Sequence, residues 1–319
     1  MDTLSDVLGS VRLAGAVFFK IEASAPWAAA APEGNVLFPH VGAGVEHVVA
    51  YHVVTRGSCW CKLDGQPALE LEAGDVLVFP HGDPHTISSA PGIFPAVELR
   101  APADPAREGL PVTVSIHAGA SQPTQVVCGF LGCDARPFEP LLHTLPRVIH
   151  RRGSGDGDSA ERRLVELAVS ESKQHRAGSS CVLSRLGELL FVEVVRKYLA
   201  ERPADDLGWL AGLRDAGIGR ALQKLHARPS HPWSLEELAR EVGMSRSALA
   251  EHFAHFVGIP PIQYLAEWRL QLAASLLRGS KSSLAEIAER VGYGSEAALS
   301  RAFKRKFGVA PTPYRRAEA

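Results

Sequence analysis

The chain has no run of about 18 apolar residues, so nothing in it is expected to span a membrane. Its first residues, Met1-Asp-Thr-Leu-Ser-Asp6, lack the basic start and apolar block of a secretory leader. A cytoplasmic location is the expectation. Cysteine is scarce: Cys59, Cys61, Cys128, Cys133 and Cys181 are the five in 319 residues. In a reducing compartment these are free thiols rather than a disulfide frame. The chain also lacks a dominant charge, with 34 Lys and Arg against 35 Asp and Glu. That balance conceals an asymmetry. From Asp215 to Ala319 there are 15 cations and 10 carboxylates, and the rest holds 19 and 25. A basic end on an acidic body fits a polyanion-binding domain joined to a different one. The length predicts two domains, and a hydrophobic fraction of 46% is enough for packed cores.

What is present in abundance is a repeat. Ser234-Leu-Glu-Glu-Leu-Ala-Arg-Glu-Val-Gly243, followed by a segment to Gly258, returns as Ser283-Leu-Ala-Glu-Ile-Ala-Glu-Arg-Val-Gly292, followed by a segment to Gly308. Ser234 with Glu237, and Ser283 with Glu286, have the spacing of a capping box, in which serine and glutamate each bond the other's amide. Leu235, Leu238, Ala239 and Val242 fall at helical spacing, as do Leu284, Ile287, Ala288 and Val291. Gly243 and Gly292 can end these helices in a left-handed conformation. Ser245 and Ser295 are placed to cap second helices. Leu249, Phe253 and Phe256 would anchor one of these, and Leu299, Phe303 and Phe307 the other. The second copy has one extra turn residue. Helix, glycine turn and helix is the helix-turn-helix pattern, whose second helix enters a DNA major groove. The bland alternative is two ordinary helical hairpins in a bundle.

Residues 1 to about 14 read as a short amphipathic helix. Short strands between Gly and Pro turns follow, among them His52–Thr55, Cys59–Leu63, Val76–Phe79 and Ala96–Leu99, and suggest a sandwich or barrel. Val126–Leu131 adds a strand. Helices are expected at Pro137–Leu145, Ala160–Gln174 and Val182–Ala200. Leu164, Leu167 and Ala168 share one face. So do Leu183, Leu186, Leu190, Val194 and Tyr198. These stripes would either join two copies of the chain or pack on the chain's own barrel. Glu201–Asp206 reads as a linker, and the helical end starts near Trp209.

Gly74-Asp-Val-Leu-Val-Phe-Pro80-His81-Gly82-Asp-Pro-His85 resembles the second cupin signature, with Ser89 where the terminal asparagine falls. The resemblance implies a double-stranded β-helix with His85 aimed into the barrel mouth. Metal-binding cupins supply His-x-His and a glutamate from a partner motif. Here that region contains no His-x-His, and His47 and His52, five apart on one strand, face opposite sides. An incomplete divalent-metal or effector site from His52 and His85, with His81 or a thiol, is one reading. Hydrogen-bonded core or pocket histidines are the other. Cys59 and Cys61 alternate with Trp60 and read as core. Cys128-Gly-Phe-Leu-Gly-Cys133 spaces two thiols across a turn, which makes them redox candidates, with buried core thiols as the alternative.

The last hundred residues are similar to the AraC/XylS family of bacterial transcription regulators. The similarity runs through Trp233–Ala239, Gly243-Met-Ser245, Tyr264–Ala274, Ile287–Tyr293 and Phe303–Arg315. The first half, including Cys128–Phe138, resembles the cupin-type sensor of one branch of that family. The fold expected is α+β in two domains. Residues 1–206 would form a cupin-like double-stranded β-helix followed by helices. Residues 207–319 would form an all-α tandem helix-turn-helix domain.

The resemblance places base-reading residues at Arg246, Ser247, Ala250 and Glu251, and at Glu296, Ala297, Ser300 and Arg301. Lys304, Arg305 and Lys306 would hold phosphates, joined by the capping Ser234, Ser245, Ser283 and Ser295 at their helix N-termini. The function implied is a DNA-binding regulator that answers to a small molecule, metal or redox signal at a bipartite promoter site. RNA polymerase and a second copy of the chain are the expected protein partners, and activation is the expected sign. A cupin metalloenzyme, dioxygenase or isomerase, is the rival from another class.

Overall fold

The computed structural model describes residues 3–10, 13–34, 36, 45, 47–95, 97–98, 112–117, 123–133, 141–153, 160–174, 176–201 and 208–316. Its residues group into two compact units. One is Leu13–Cys133 with Leu145–Ala200, and the other is Met1–Arg12 and Asp134–Thr144 with Glu201–Ala319. The units interleave along the chain, whereas the sequence suggested a single break between residues 206 and 207.

The first unit is built on two sheets. Strands β1 (Leu13–Ser24), β3 (His47–Arg56), β6 (Val76–Phe79), β9 (Val112–His117), β10 (Thr124–Cys133) and β11 (Ile149–Arg151) form the larger, in the order β11-β6-β3-β10-β1-β9. The smaller contains β2 (Ala28–Ala31), β4 (Ser58–Leu63), β5 (Leu69–Glu72), β7 (His85–Ser88) and β8 (Val97–Glu98), in the order β5-β4-β7-β2-β8. Phe19, Ile21, Trp27, Phe79, Ile87 and Phe130 fill one core cluster with alternate residues of both sheets. Most of the expected strands form. Ala96 and Leu99, which would flank β8, lie outside the described residues.

Cys128–Cys133 is where the local reading fails. The two glycines suggested a turn, but the stretch is continuous strand in β10. Gly129 pairs with Tyr51 on β3, and a Cβ on it would lie 2.2 Å from the Tyr51 Cζ. Glycine here makes room for a neighbouring ring rather than for a bend.

Helices α2 (Ala160–Gln174) and α3 (Ser179–Glu201) complete this unit. Lys197 Nζ lies 2.7 Å from Glu161 Oε2, and the Ser179 hydroxyl donates to Glu171 Oε1 at 2.6 Å, so the two helices run antiparallel. Leu183, Leu186, Leu190 and Val194 are buried, and with Leu164 and Ala168 the first three face Tyr51, Val53 and Val127 of the large sheet. These stripes therefore pack on the chain's own sheet. Leu167, placed in the same stripe, is exposed instead.

The second unit is helical. It comprises α1 (Thr3–Ser10), α4 (Trp209–Arg214), α5 (Ala216–Ala227), α6 (Leu235–Val242), α7 (Arg246–Val257), α8 (Pro261–Gly279), α9 (Leu284–Val291), α10 (Glu296–Phe307) and α11 (Pro311–Arg316). Of the helix expected at Pro137–Leu145, residues 137–140 lie outside the described residues, and of the rest only Leu141 and Leu142 are helical. Among the described residues, no helix is long and apolar enough to cross a membrane.

Candidate functional site

Each repeat folds into two short helices because its caps satisfy amides that a helix start leaves unpaired. Ser234 accepts from the Glu237 amide and Ser283 from the Glu286 amide. Glu286 returns the bond to the Ser283 amide at 2.7 Å, which completes a capping box. The first copy does not complete one. Its Glu237 Oε1 lies 2.9 Å from His231 Nε2 instead. Gly243 and Gly292 end α6 and α9 with φ of 73° and 84°. Ser245 and Ser295 then cap α7 and α10 by accepting from the Ala248 and Ala298 amides.

These caps set the phase of the second helices. Leu249 and Phe253 of α7, and Leu299, Phe303 and Phe307 of α10, point into the core. Phe256, expected beside them, is only half-buried. The opposite faces are open. Ser245, Arg246, Ser247 and Glu251 are exposed, with Ala250 half-buried. In the second copy Ser295, Glu296, Ala297, Arg301, Lys304 and Arg305 are exposed, with Ser300 half-buried. Each set lies on one helical face that nothing described covers. One residue was missed: Glu236 of α6, whose Oε1 sits 3.0 Å from Arg246 Nε.

The 19-residue α8 joins the copies and is buried on both sides of its length. Arg269 donates from Nε and Nη2 to the carbonyls of Pro229 and His231, at 2.6 and 2.8 Å. Tyr264 anchors a buried polar chain that the sequence reading missed. Trp209 Nε1 donates to its hydroxyl at 3.0 Å, and that hydroxyl donates to His226 Nε2 at 2.7 Å. The arrangement needs neutral His226. Burial agrees, lowering its pKa to about 3.

The barrel interior is polar at one point. His52 Nε2 lies 2.5 Å from His85 Nε2. His85 Nδ1 donates to the Asp83 carbonyl at 2.8 Å, so its Nε2 carries the lone pair and His52 donates the bond. Phe79 stacks on His85 with ring centroids 3.7 Å apart. Burial lowers the His85 pKa to about 4, and burial and then His85 lower that of His52. His81 does not join them. It is exposed, and its Nε2 donates to the Leu145 carbonyl.

A divalent ion held by two imidazoles at about 2.0–2.1 Å keeps the donor nitrogens roughly 3.3 Å apart. The 2.5 Å pair is too close for that, and each nitrogen is used by the other. Among the described residues no group of three or more His, Cys, Asp or Glu is arranged to hold a metal. Among the described residues, His52 and His85 as placed therefore do not fit a divalent cation.

The redox pairing also fails on geometry. Cys128 and Cys133 are five residues apart on one strand, so they face opposite ways at a separation of about 16 Å. A disulfide needs Cα atoms within about 7 Å. Both thiols are buried. Burial pushes Cys133 up to about 12, and burial with the neighbouring Cys59 and Cys61 raises Cys128. Such thiols are poor nucleophiles. Cys59 and Cys61 are core, as read from the sequence.

A two-sheet domain and a tandem helix-turn-helix with both second helices open define a DNA-binding protein with an appended barrel. The comparisons agree. A family model described as Cupin matches residues 2–200, and one described as Helix-turn-helix domain matches 238–317. An AraC-like transcription regulator of Streptomyces lividans is 33% identical over 99% of this chain and 98% of its own length. The HTH-type transcriptional regulator AlkR of Acinetobacter baylyi is 28% identical over 99% of both. The DNA-binding domain of AdpA, solved with a target DNA, is 30% identical over 32% of this chain and 93% of its own, with a TM-score of 0.31. The chain belongs to the AraC-like transcription regulators and carries a cupin-like N-terminal domain. It is a DNA-binding regulator and not a cupin enzyme, which removes the dioxygenase or isomerase alternative.

Proposed function

We propose that α7 and α10 read two successive major-groove faces of one promoter site. One observation carries this: two exposed, serine-capped helix faces stand at either end of a single buried helix, α8. On this reading Arg301 pairs with a guanine edge, the geometry its planar fork suits. Lys304 and Arg305 hold phosphates, and Ser245 and Ser295 bring helix N-termini to the backbone. Arg246, Ser247, Ala250 and Glu251 face the first half-site, and Glu296, Ala297 and Ser300 complete the second.

The barrel unit answers to a small-molecule signal that binds two states of the regulator unequally. His52 and His85 are the polar pair available to orient such an effector. Neither a divalent cation at His52, His81 and His85 nor a disulfide between Cys128 and Cys133 belongs to the reading, on the geometry above. The regulator acts in the cytoplasm as an activator, with RNA polymerase as protein partner, and as a homodimer. The test is a footprint of the full chain on the DNA upstream of its own gene at modest salt. Two protected segments one helical turn apart support the reading, and no protection overturns it.

A further inference from the structure

We propose that Arg269 of α8 fixes the distance and angle between α7 and α10, and so selects the half-site spacing that the chain accepts. This assignment rests on the bipartite reading above and adds to it a determinant of spacing rather than of base identity.

Two small folded parts joined by one helix can still turn about its ends unless something else ties them. Here the two copies also meet beside the helix. Residues 229–231, which lead into α6 of the first copy, lie against Gly292, which ends α9 of the second. A Cβ on Gly292 would lie 2.6 Å from the Ser230 Cα and 2.9 Å from the Ser230 carbonyl oxygen. The matching Gly243 has nothing within 4 Å. The second copy thus uses its glycine to let the backbone of the first approach.

Arg269 holds this contact together. Its half-buried side chain donates from Nε to the Pro229 carbonyl and from Nη2 to the His231 carbonyl, across 40 and 38 positions. The same Nη2 would stand 2.9 Å from a Cβ on Gly292. Tyr293, the next residue, is near enough that its hydroxyl and the guanidinium bias each other's ionisation. One planar fork is pinned between two carbonyls of the first copy and the glycine turn of the second.

The contact reaches both DNA-reading helices. On the first side His231 takes the carboxylate of Glu237, in the first turn of α6, and α6 packs on α7. On the second side Lys306 of α10 lies 3.4 Å from Glu267 of α8, two residues before Arg269. Turning α10 relative to α7 therefore costs the two charge-assisted bonds of the fork. DNA spacing is sensitive to such a turn, since two added base pairs move a half-site by about 7 Å and rotate it by about 70°.

Two measurements on the full chain test this. In a Cys181→Ser background, nitroxides at Ser247→Cys and Ala297→Cys, equivalent positions on α7 and α10, report the distance between the helices by pulsed electron resonance without DNA. With Arg269 in place the distance should be single and narrow. Arg269→Lys, which keeps the charge and loses the fork, and Arg269→Leu should each roughly double its width. The second measurement uses the DNA that the footprint protects, with two base pairs inserted between the protected segments. The insertion should weaken wild-type binding roughly tenfold or more and Arg269→Lys binding only about threefold. Thermal unfolding separates positioning from stability. A merely structural role would lower the melting temperature and leave the width and the insertion penalty of the folded variant unchanged. Arg269→Lys carries the test where Arg269→Leu does not fold. A broad distance in the wild type, or a width and penalty that the substitutions leave alone, overturns the assignment. A chain that protects no DNA overturns the bipartite reading and with it the choice of spacing, and the width of the distance then decides whether Arg269 fixes the two helices.

Discussion

The two helix-turn-helix copies share a backbone plan and differ in charge. Ser234–Gly258 contains Arg240 and Arg246 against Glu236, Glu237, Glu241 and Glu251. Ser283–Gly308 contains Arg290, Arg301, Lys304, Arg305 and Lys306 against Glu286, Glu289 and Glu296. One copy is net acidic and the other net basic. The first also holds its exposed Arg246 beside Glu236, while the matching first helix of the second copy has Ala285 there. Duplication kept the caps, the left-handed glycines and the core leucine and phenylalanine. It left the outward faces free to diverge. Phosphate attraction is therefore expected to come chiefly from α10, with α7 contributing discrimination more than affinity.

The largest expected effects test the shared plan. Phe253 and Phe303 are both fully buried, so either Phe→Ala change should cost about 3–5 kcal/mol in chemical denaturation of the full chain. A loss below about 1 kcal/mol for one of them would end the structural equivalence of the copies. The turns differ more. A Cβ on Gly243 would meet nothing within 4 Å, whereas one on Gly292 would lie 2.6 Å from the Ser230 Cα. Gly243→Ala should cost about 1–2 kcal/mol, the left-handed penalty alone. Gly292→Ala should cost more, because the backbone must also move; equal melting temperatures would contradict this.

Binding sharpens the contrast further. Arg301→Ala should lower DNA affinity by about 1–3 kcal/mol and relax one base preference. Arg246→Ala should do less, since Glu236 competes for that guanidinium. Lys304→Ala should weaken all sequences alike and lower the salt slope by about one. A larger loss from Arg246→Ala than from Arg301→Ala, measured by titration at fixed salt, would reverse the assignment of roles.

Acid should loosen both units. His85 and His226 are neutral in the fold, with pKa values lowered from 6.5 to about 4 and about 3. The unfolded chain takes up their protons first. Their contribution to stability is complete above pH 6.5 and is lost as pH falls from there toward those values. Thermal melts between pH 7 and pH 4 measure this. His226→Gln should flatten the acid limb of the helical unit, and an unchanged limb would remove His226 as its source.

Much of this was legible because it is local. Serine three residues before glutamate, glycine at the helix end and apolar residues at helical spacing are written within each copy. The β6 strand and α2 form over the residues that pattern predicts. What the sequence hid is long-range. Nothing local tells that Glu237 turns to His231 and leaves one capping box half made. Nothing near Gly129 reveals the Tyr51 ring that needs its space, so a strand glycine read as a turn and two distant thiols read as a pair. The His52–His85 pairing also joins residues 33 positions apart, but there the cupin resemblance already brings the two together. The ion pair of Glu236 with Arg246 spans only ten residues, but it depends on the angle between α6 and α7, which spacing does not set.

The most direct measurement is hydroxyl-radical footprinting of the full chain, with Arg301→Ala and a Ser247→Ala, Glu251→Ala double variant beside it. Two protected segments about 34 Å apart along one duplex are expected, the segment assigned to α10 lost with Arg301 and the other thinned with Ser247 and Glu251. A single protected segment, unmoved by either set of changes, would contradict it.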